Sequence, residues 1–190
     1  MHEIEAVLLT GGASSRMGED KASILIEGVS MGQRIADLLV DKGVPVTNIG
    51  GKPLERCIFL EDRTPLGGPL RALGAFTPSG PLVFLCSCDL PLFDVRIVGL
   101  LRRNIHQSDA AVAIVDGRSQ PLCALYRGSA LERIAEVLNS GKSSMRAWLD
   151  VLKISQITDT DLLEAGIRPQ SVLGVNTPAE LKRALTGDQT

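Results

Sequence analysis

The sequence predicts an α/β fold, a doubly wound and mostly parallel sheet with helices on both faces in three layers. Short apolar runs of strand length alternate with stretches of helical period. The polar residues that stand out, Thr10, Asp62, Asp89 and Asn176, fall just after such runs, on the side where open α/β sheets hold their ligands. No repeat, linker or low-complexity stretch interrupts the alternation. At 190 residues, 44% of them hydrophobic, the chain is predicted to be one domain over residues 1–190, with a core that needs neither disulfide nor metal.

Ala6 to Leu9 has the length and composition of a buried parallel strand. Gly32 to Lys42 places Ile35, Leu38 and Leu39 on one side of a first crossover helix, closed by Gly43. Val44 to Ile49 and Cys57 to Leu60 are two short strands, the first followed by the turn Gly50-Gly51-Lys52-Pro53. Gly68 and Pro69 open a helix from Leu70 to Phe76, with backbone N–H groups that suit a polar or anionic ligand edge. Pro81 to Cys88 is the most continuous apolar run, hence the central strand, with Asp89 at its end.

Asp94 to Ile105 forms a helix with Ile97, Leu100 and Leu101 inward, and Ala110 to Val115 the next strand. Ser119 to Tyr126 follows, with Pro121 near the start of a strand, where proline is physically ordinary. Ala130 to Asn139 is a helix ended by Gly141, and Ser143 or Ser144 caps the helix carrying Met145, Trp148 and Leu149. Thr177, Pro178 and Glu180 form a capping box for a last helix to Leu185, leaving Asn176 at a strand end just before the cap.

The chemistry concentrates where Leu9 gives way to Thr10-Gly11-Gly12-Ala13-Ser14-Ser15-Arg16-Met17-Gly18-Glu19-Asp20-Lys21. Three glycines permit close approach of backbone N–H groups to phosphate, and Arg16 and Lys21 add a planar fork and a point charge. A Rossmann glycine fingerprint is excluded because Gly11 and Gly12 are adjacent and Ala13 stands at its second glycine. A Walker A loop is excluded because Glu19 and Asp20 separate Gly18 from Lys21. Gly141-Lys142-Ser143-Ser144 fails the Walker rule too, since Glu136 stands five residues before Gly141.

A net charge of −2 and 3% aromatic residues argue against a nucleic-acid partner. Acids in Met1 to Glu5 do not suit a signal peptide, and no run is long enough to span a membrane. Cys57, Cys86, Cys88 and Cys123 lack zinc spacing and read as buried thiols of a cytoplasmic protein. With two histidines, a Ser-His-Asp hydrolase is poorly supplied, and metal and positioning are the favoured chemistry.

The pattern Leu-x-Gly-Gly-x-Ser-x-Arg-Met-Gly-x-Asp-Lys resembles the nucleotidyltransferase signature, in its Met-Gly-x-Asp-Lys form that of the molybdenum cofactor guanylyltransferases. Gly68-Pro69-Leu70, Cys88-Asp89-Leu90-Pro91, Gln120-Pro121-Leu122 and Val175-Asn176-Thr177-Pro178 match further stretches of that family, while Ala72 departs from a glycine often found there.

The resemblance implies a Rossmann-like sheet and transfer of GMP from GTP to the phosphate of molybdopterin, with release of pyrophosphate. It implies catalytic Arg16, Lys21 and Asp89, and nucleotide contacts at Leu9, Thr10, Gly11, Gly12, Arg16, Lys21, Gly50, Asp62, Gly68 and Asp89. Mg2+ would sit on Asp89 and Asn176, and the acceptor near Gln120, Pro121, Lys142 and Arg146. Transient contact with molybdenum-insertion and molybdoenzyme-maturation proteins follows from the same likeness.

The residues themselves leave alternatives. Asp62 suits a turn cap beside Arg63 equally well, Asp89 can belong to the turn leading to Asp94, and Lys142 and Arg146 fit a solvated helix start. CTP in place of GTP, or a sugar-phosphate acceptor, fits the same loop, and a nucleotide-binding regulator without catalysis is a third reading. Guanine readout is expected largely from backbone atoms of Leu9, Thr10, Gly50 and Gly51.

Overall fold

The computed structural model describes residues 2–11, 21–64 and 67–187, with Lys21 in its backbone alone. Strand β1 (Ile4–Leu9) is followed among these by a small ribbon of β2 (Leu25–Ile26) and β3 (Val29–Ser30) and by helix α1 (Met31–Val40). Ser30 caps α1 by accepting from the Gln33 N–H. Met31, Ile35, Ala36 and Leu39 are buried. Leu38, expected inward, is 41% exposed, because the inward stripe is centred between Ile35 and Leu39 and Leu38 falls at its edge.

Strands β4 (Val46–Ile49) and β5 (Ile58–Leu60) come next, then a single-turn helix α2 (Pro69–Leu73), stopped at Gly74 rather than running to Phe76. Strand β6 (Leu82–Ser87) and helix α3 (Arg96–Asn104) follow, with Ile97, Leu100 and Leu101 buried as the period requires. The second half holds β7 (Ala110–Val115), β8 (Arg118–Arg127), α4 (Gly128–Asn139), α5 (Met145–Leu149), β9 (Ile154–Ile157), α6 (Asp159–Glu164) and α7 (Pro178–Thr186).

Among the described residues the main sheet has seven strands in the order β5-β4-β1-β6-β8-β7-β9. β6 is central, as its unbroken apolar run requires. β1 pairs in parallel with β4 on one side and β6 on the other, so the winding reverses around β1. β8 runs antiparallel to both β6 and β7. Its direction is dictated by Asp116-Gly117, whose φ angles of 49° and 71° build a two-residue hairpin turn. Pro121 lies inside β8, not at its start. It falls where the β7 register shifts between Val112 and Ile114 and past the last β6 pair at Cys86 and Cys123, so its missing N–H leaves no ladder bond unmade.

Side chains alternate between two cores. Ala6, Leu8, Phe84, Cys86, Ala111, Cys123 and Leu125 face α1, α3 and α6, whereas Val7, Leu9, Val83, Leu85, Val112, Ala124 and Tyr126 face α2, α4 and α5. The second core is anchored by Trp148, fully buried, which stacks on Tyr126 at 4.4 Å between ring centroids and donates to the Ala130 carbonyl. Cys86, Cys88 and Cys123 are buried and Cys57 partly so, all as free thiols. No helix among the described residues is long and apolar enough to cross a membrane.

The expected strand before Asn176 is absent. A short 3-10 turn, Pro169–Val172, leads instead into an irregular segment. The capping box is also displaced. Thr177 accepts from the Glu180 N–H as predicted, but the Glu180 carboxylate reaches back to the Asn176 N–H at 2.6 Å. Asn176 is therefore held by the helix start itself.

Candidate active site

Four neighbouring parallel strands, β5, β4, β1 and β6, end on the same side and bring Asp62, Gly50, Thr10 and Asp89 to one crevice. The crevice lies where the winding reverses, the usual ligand position of such sheets.

The loops after β1 and β4 are fused. The N–H groups of Thr10 and Gly11 both donate to the Ile49 carbonyl, and the Thr10 hydroxyl donates to Gly50 at 2.5 Å. A Cβ on Gly50 would stand 2.8 Å from the Gly11 Cα, and one on Gly51 2.7 Å from the Thr10 carbonyl oxygen. With φ of 75° and 60°, both positions favour glycine on conformational grounds as well. Gly50→Ala is expected to lower stability by about 1–3 kcal/mol through strain and backbone collision, read as a lower midpoint in urea unfolding.

These bonds revise how a base can be read. The N–H groups of Thr10, Gly11 and Gly50 are all committed, the last to the Leu60 carbonyl, and the Leu9 carbonyl accepts from Cys88. Leu9 is itself 7% exposed and belongs to the core. Gly11 and Gly51 are the exposed residues of the junction. Asn48, next to the expected readers, is fully buried beneath them.

Asp62 takes the turn-capping role that its sequence allowed. One carboxylate oxygen caps the turn by accepting from the Thr64 N–H at 2.8 Å and its hydroxyl at 3.2 Å. The other stands 3.7 Å from where a Gly11 Cβ would be, beside the fused loops. Gly68 precedes α2 as its N-cap with φ of 80°. Gly12 and Arg16 lie outside the described residues, as does the Lys21 side chain, whose backbone starts a 3-10 turn over Lys21–Ser23.

Asp89 follows β6, half-buried, and accepts the Ser87 hydroxyl proton at 2.7 Å. Its carbonyl accepts from the Val175 N–H at 2.9 Å, which brings the segment before α7 across the end of β6. Gly174 presses on the carboxylate so closely that a Cβ there would lie 2.9 Å from an Asp89 oxygen. The arrangement fits Mg2+, which needs few protein ligands and takes water and phosphate oxygens for the rest. Asp89 is the carboxylate at this place, and Asn176 follows Val175 directly in the segment bonded to it.

The acceptor candidates are dispersed. Gln120 donates to the Arg118 carbonyl, and the Pro121 carbonyl accepts from the buried Tyr126 hydroxyl. Lys142 is exposed on the connection before α5. Arg146 lines a cavity of about 500 Å³ with Arg118, Ser119, Asp150 and Gln156, beside the β7–β8 turn. Arg118 was not singled out from the sequence. The Asp-Gly turn that presents it was the available signal.

A glycine loop after the first strand, a carboxylate after the central one and a reversed winding between them define a nucleotidyltransferase. Residues 6–157 match the model of the MobA-like NTP transferase domain. A Mycobacterium tuberculosis protein described as a probable molybdenum cofactor guanylyltransferase is 32% identical over 170 residues, covering 83% of this chain and 85% of its own. A protein of the same description from Nostoc is 28% identical over 194 residues, covering 95% of this chain and 90% of its own. The crystal structure of molybdopterin-guanine dinucleotide biosynthesis protein A from Archaeoglobus fulgidus superposes with a TM-score of 0.76 at 20% identity, over 95% of this chain and 96% of that one. The Thermus thermophilus 2-C-methyl-D-erythritol 4-phosphate cytidylyltransferase shares the fold, with a TM-score of 0.67 at 17% identity over 95% and 96% of the two chains. The chain belongs to the MobA-like NTP transferase family. Asn176 and its segment lie beyond the residues that the family model matches.

Proposed function

We propose that this protein transfers GMP from GTP to the phosphate of molybdopterin, releasing pyrophosphate, with Mg2+ held at Asp89 and Asn176. The observation that carries the reading is the closure of the Gly174 segment on Asp89, at the crevice that the Thr10–Gly11 loop also reaches. The names borne by relatives at about 30% identity supply the nucleotide and the acceptor.

In this reading an acceptor phosphate oxygen forms a bond to the α-phosphorus of GTP, and the bond from that phosphorus to the β-bridging oxygen breaks. The acceptor phosphate is already ionised, so no residue is needed as general base. Arg16 and Lys21 would supply the positive charge that offsets the charge gathering on the departing pyrophosphate. The Ser87 hydroxyl orients the Asp89 carboxylate, and Gly174 leaves no side chain to crowd it. Bound Mg2+ supplies charge neutralisation for the triphosphate.

Gly11, Gly50, Gly51, Asp62 and Gly68 form the nucleotide side. The cavity between Arg118 and Arg146 suits a phosphorylated acceptor, Gln120 and Pro121 shaping its rim and Lys142 its approach. Protein contacts for product hand-over would belong to the same exposed face. The free buried thiols accord with work in a reducing cytoplasm.

GTP is expected to bind at least about tenfold more tightly than ATP, CTP or UTP, since each buried donor or acceptor left unpaired by the wrong base costs about 1–3 kcal/mol. Competition binding with all four triphosphates in Mg2+, together with pyrophosphate release on adding molybdopterin, is the test. Tighter binding of CTP would transfer the reading to a cytidylyltransferase and leave the loop and the metal carboxylate as they are.

A further inference from the structure

We infer that the cavity lined by the segment that covers Asp89 is a second ligand site, for a small organic anion, and that its occupant holds that segment in place. Binding there involves no turnover, so it stands apart from the transfer reading above.

The cavity has about 540 Å³, within the range of small-molecule sites, and three separate stretches of chain enclose it. Pro91 and Leu92 come from the loop between β6 and α3, Leu173 and Val175 from the segment ahead of α7, and Ala184 from α7 itself. Half-buried or buried, these side chains make an apolar floor. Arg168 and Arg183 line the same space and are exposed.

Neither guanidinium has a hydrogen bond or an ion pair among the described residues. Asp94, the carboxylate on which the Arg168 charge acts, is already bonded by the Arg96 Nε and Nη2, at 3.0 and 2.5 Å. Glu180, the carboxylate of the lining, is engaged by the Asn176 N–H at 2.6 Å. Two planar forks thus stand beside an apolar floor with their donors unspent. A phosphate or carboxylate accepts two bonds at a time from such a fork, and an apolar body attached to it covers the floor.

The wall of this cavity is also the cover of the metal carboxylate. Gly174 closes on the Asp89 oxygens, and the Val175 N–H donates to the Asp89 carbonyl. Residues 173–176 belong to no helix or strand, so a ligand packed against them stabilises the shape in which they cross Asp89.

The test titrates phenyl phosphate, benzoate and inorganic phosphate into the full chain by calorimetry, with saturating GTP and Mg2+ present to fill the crevice. Phenyl phosphate or benzoate is expected to bind at one site with a Kd of about 1 mM or tighter. It should bind at least about fivefold more tightly than inorganic phosphate, which has no body for the floor. The tighter of the two names the anion that the site is built for. Arg168→Gln and Arg183→Gln should each raise that Kd about tenfold. Amide exchange at Val175 should slow at least about threefold when the site is filled.

Absence of saturable binding, or binding that both substitutions leave within about twofold of wild type, overturns the site. Unchanged exchange at Val175 in the filled protein overturns its hold on the segment. Should an arginine variant fail to fold, Ala184→Leu, which fills the floor, takes its place, and phenyl phosphate binding that survives it overturns the site equally. GTP that fails to bind sinks the transfer reading by itself and leaves the titration as it is.

Discussion

Asp89→Asn is expected to remove Mg2+-dependent turnover, by roughly a thousandfold or more, which corresponds to the several kcal/mol of transition-state charge stabilisation that a catalytic dication supplies. The argument starts from what the substitution preserves. Asparagine keeps an oxygen that can accept from the Ser87 hydroxyl, and the Val175 N–H bonds to the backbone carbonyl, so the end of β6 and the segment across it stay in place. What disappears is the negative charge, without which a hard cation is not held against water. Nucleotide should still bind, more weakly, through the loop after β1. The check is steady-state pyrophosphate release across a Mg2+ titration, with nucleotide binding measured in parallel and a thermal scan to show the fold intact. Full activity in the variant would mean that another carboxylate holds the metal, and Asp62 and Asp20 would be replaced next.

Lys21→Ala is expected to lower kcat/KM by about 100- to 1000-fold, the usual cost of losing one charge contact to the departing group. A lysine is a point charge, and Lys21 closes the glycine-rich stretch in sequence, its backbone beginning a 3-10 turn over Lys21–Ser23. Arginine at this position would restore charge but not its location, so Lys21→Arg should recover only part of the loss. A decrease smaller than about threefold, in a protein with wild-type melting behaviour, would remove Lys21 from the machinery.

Much of the fold was legible in the chain. The alternation of apolar strands and helices fixed the fold class because each strand of a mostly parallel sheet is buried on both faces, and the loops after β1 and β6 announced themselves by glycine, cation and carboxylate. Other features were not legible, for identifiable reasons. Leu38 has the right residue type for the core, and only the rotation of α1 places it outside. Asp116-Gly117 was a readable hairpin signal and would have revealed β8 as reversed.

Asn176 was placed by a capping rule that treats the Glu180 carboxylate as bonding its own helix start, whereas it bonds one residue earlier. The family likeness carried the nucleotide and the acceptor, and no local pattern could have done so.

The bond from Val175 to Asp89 also joins parts of the chain made at very different times. Every other member of the crevice is contributed by the first half of the chain and can meet as soon as β1, β4, β5 and β6 pair. The carboxylate's cover, the segment ahead of α7, comes after β9 and α6 in the chain. During synthesis the central strand is therefore laid down before the segment that covers its Asp89 end exists. The surroundings of Asp89 are thus complete only once the chain has been made as far as the segment ahead of α7.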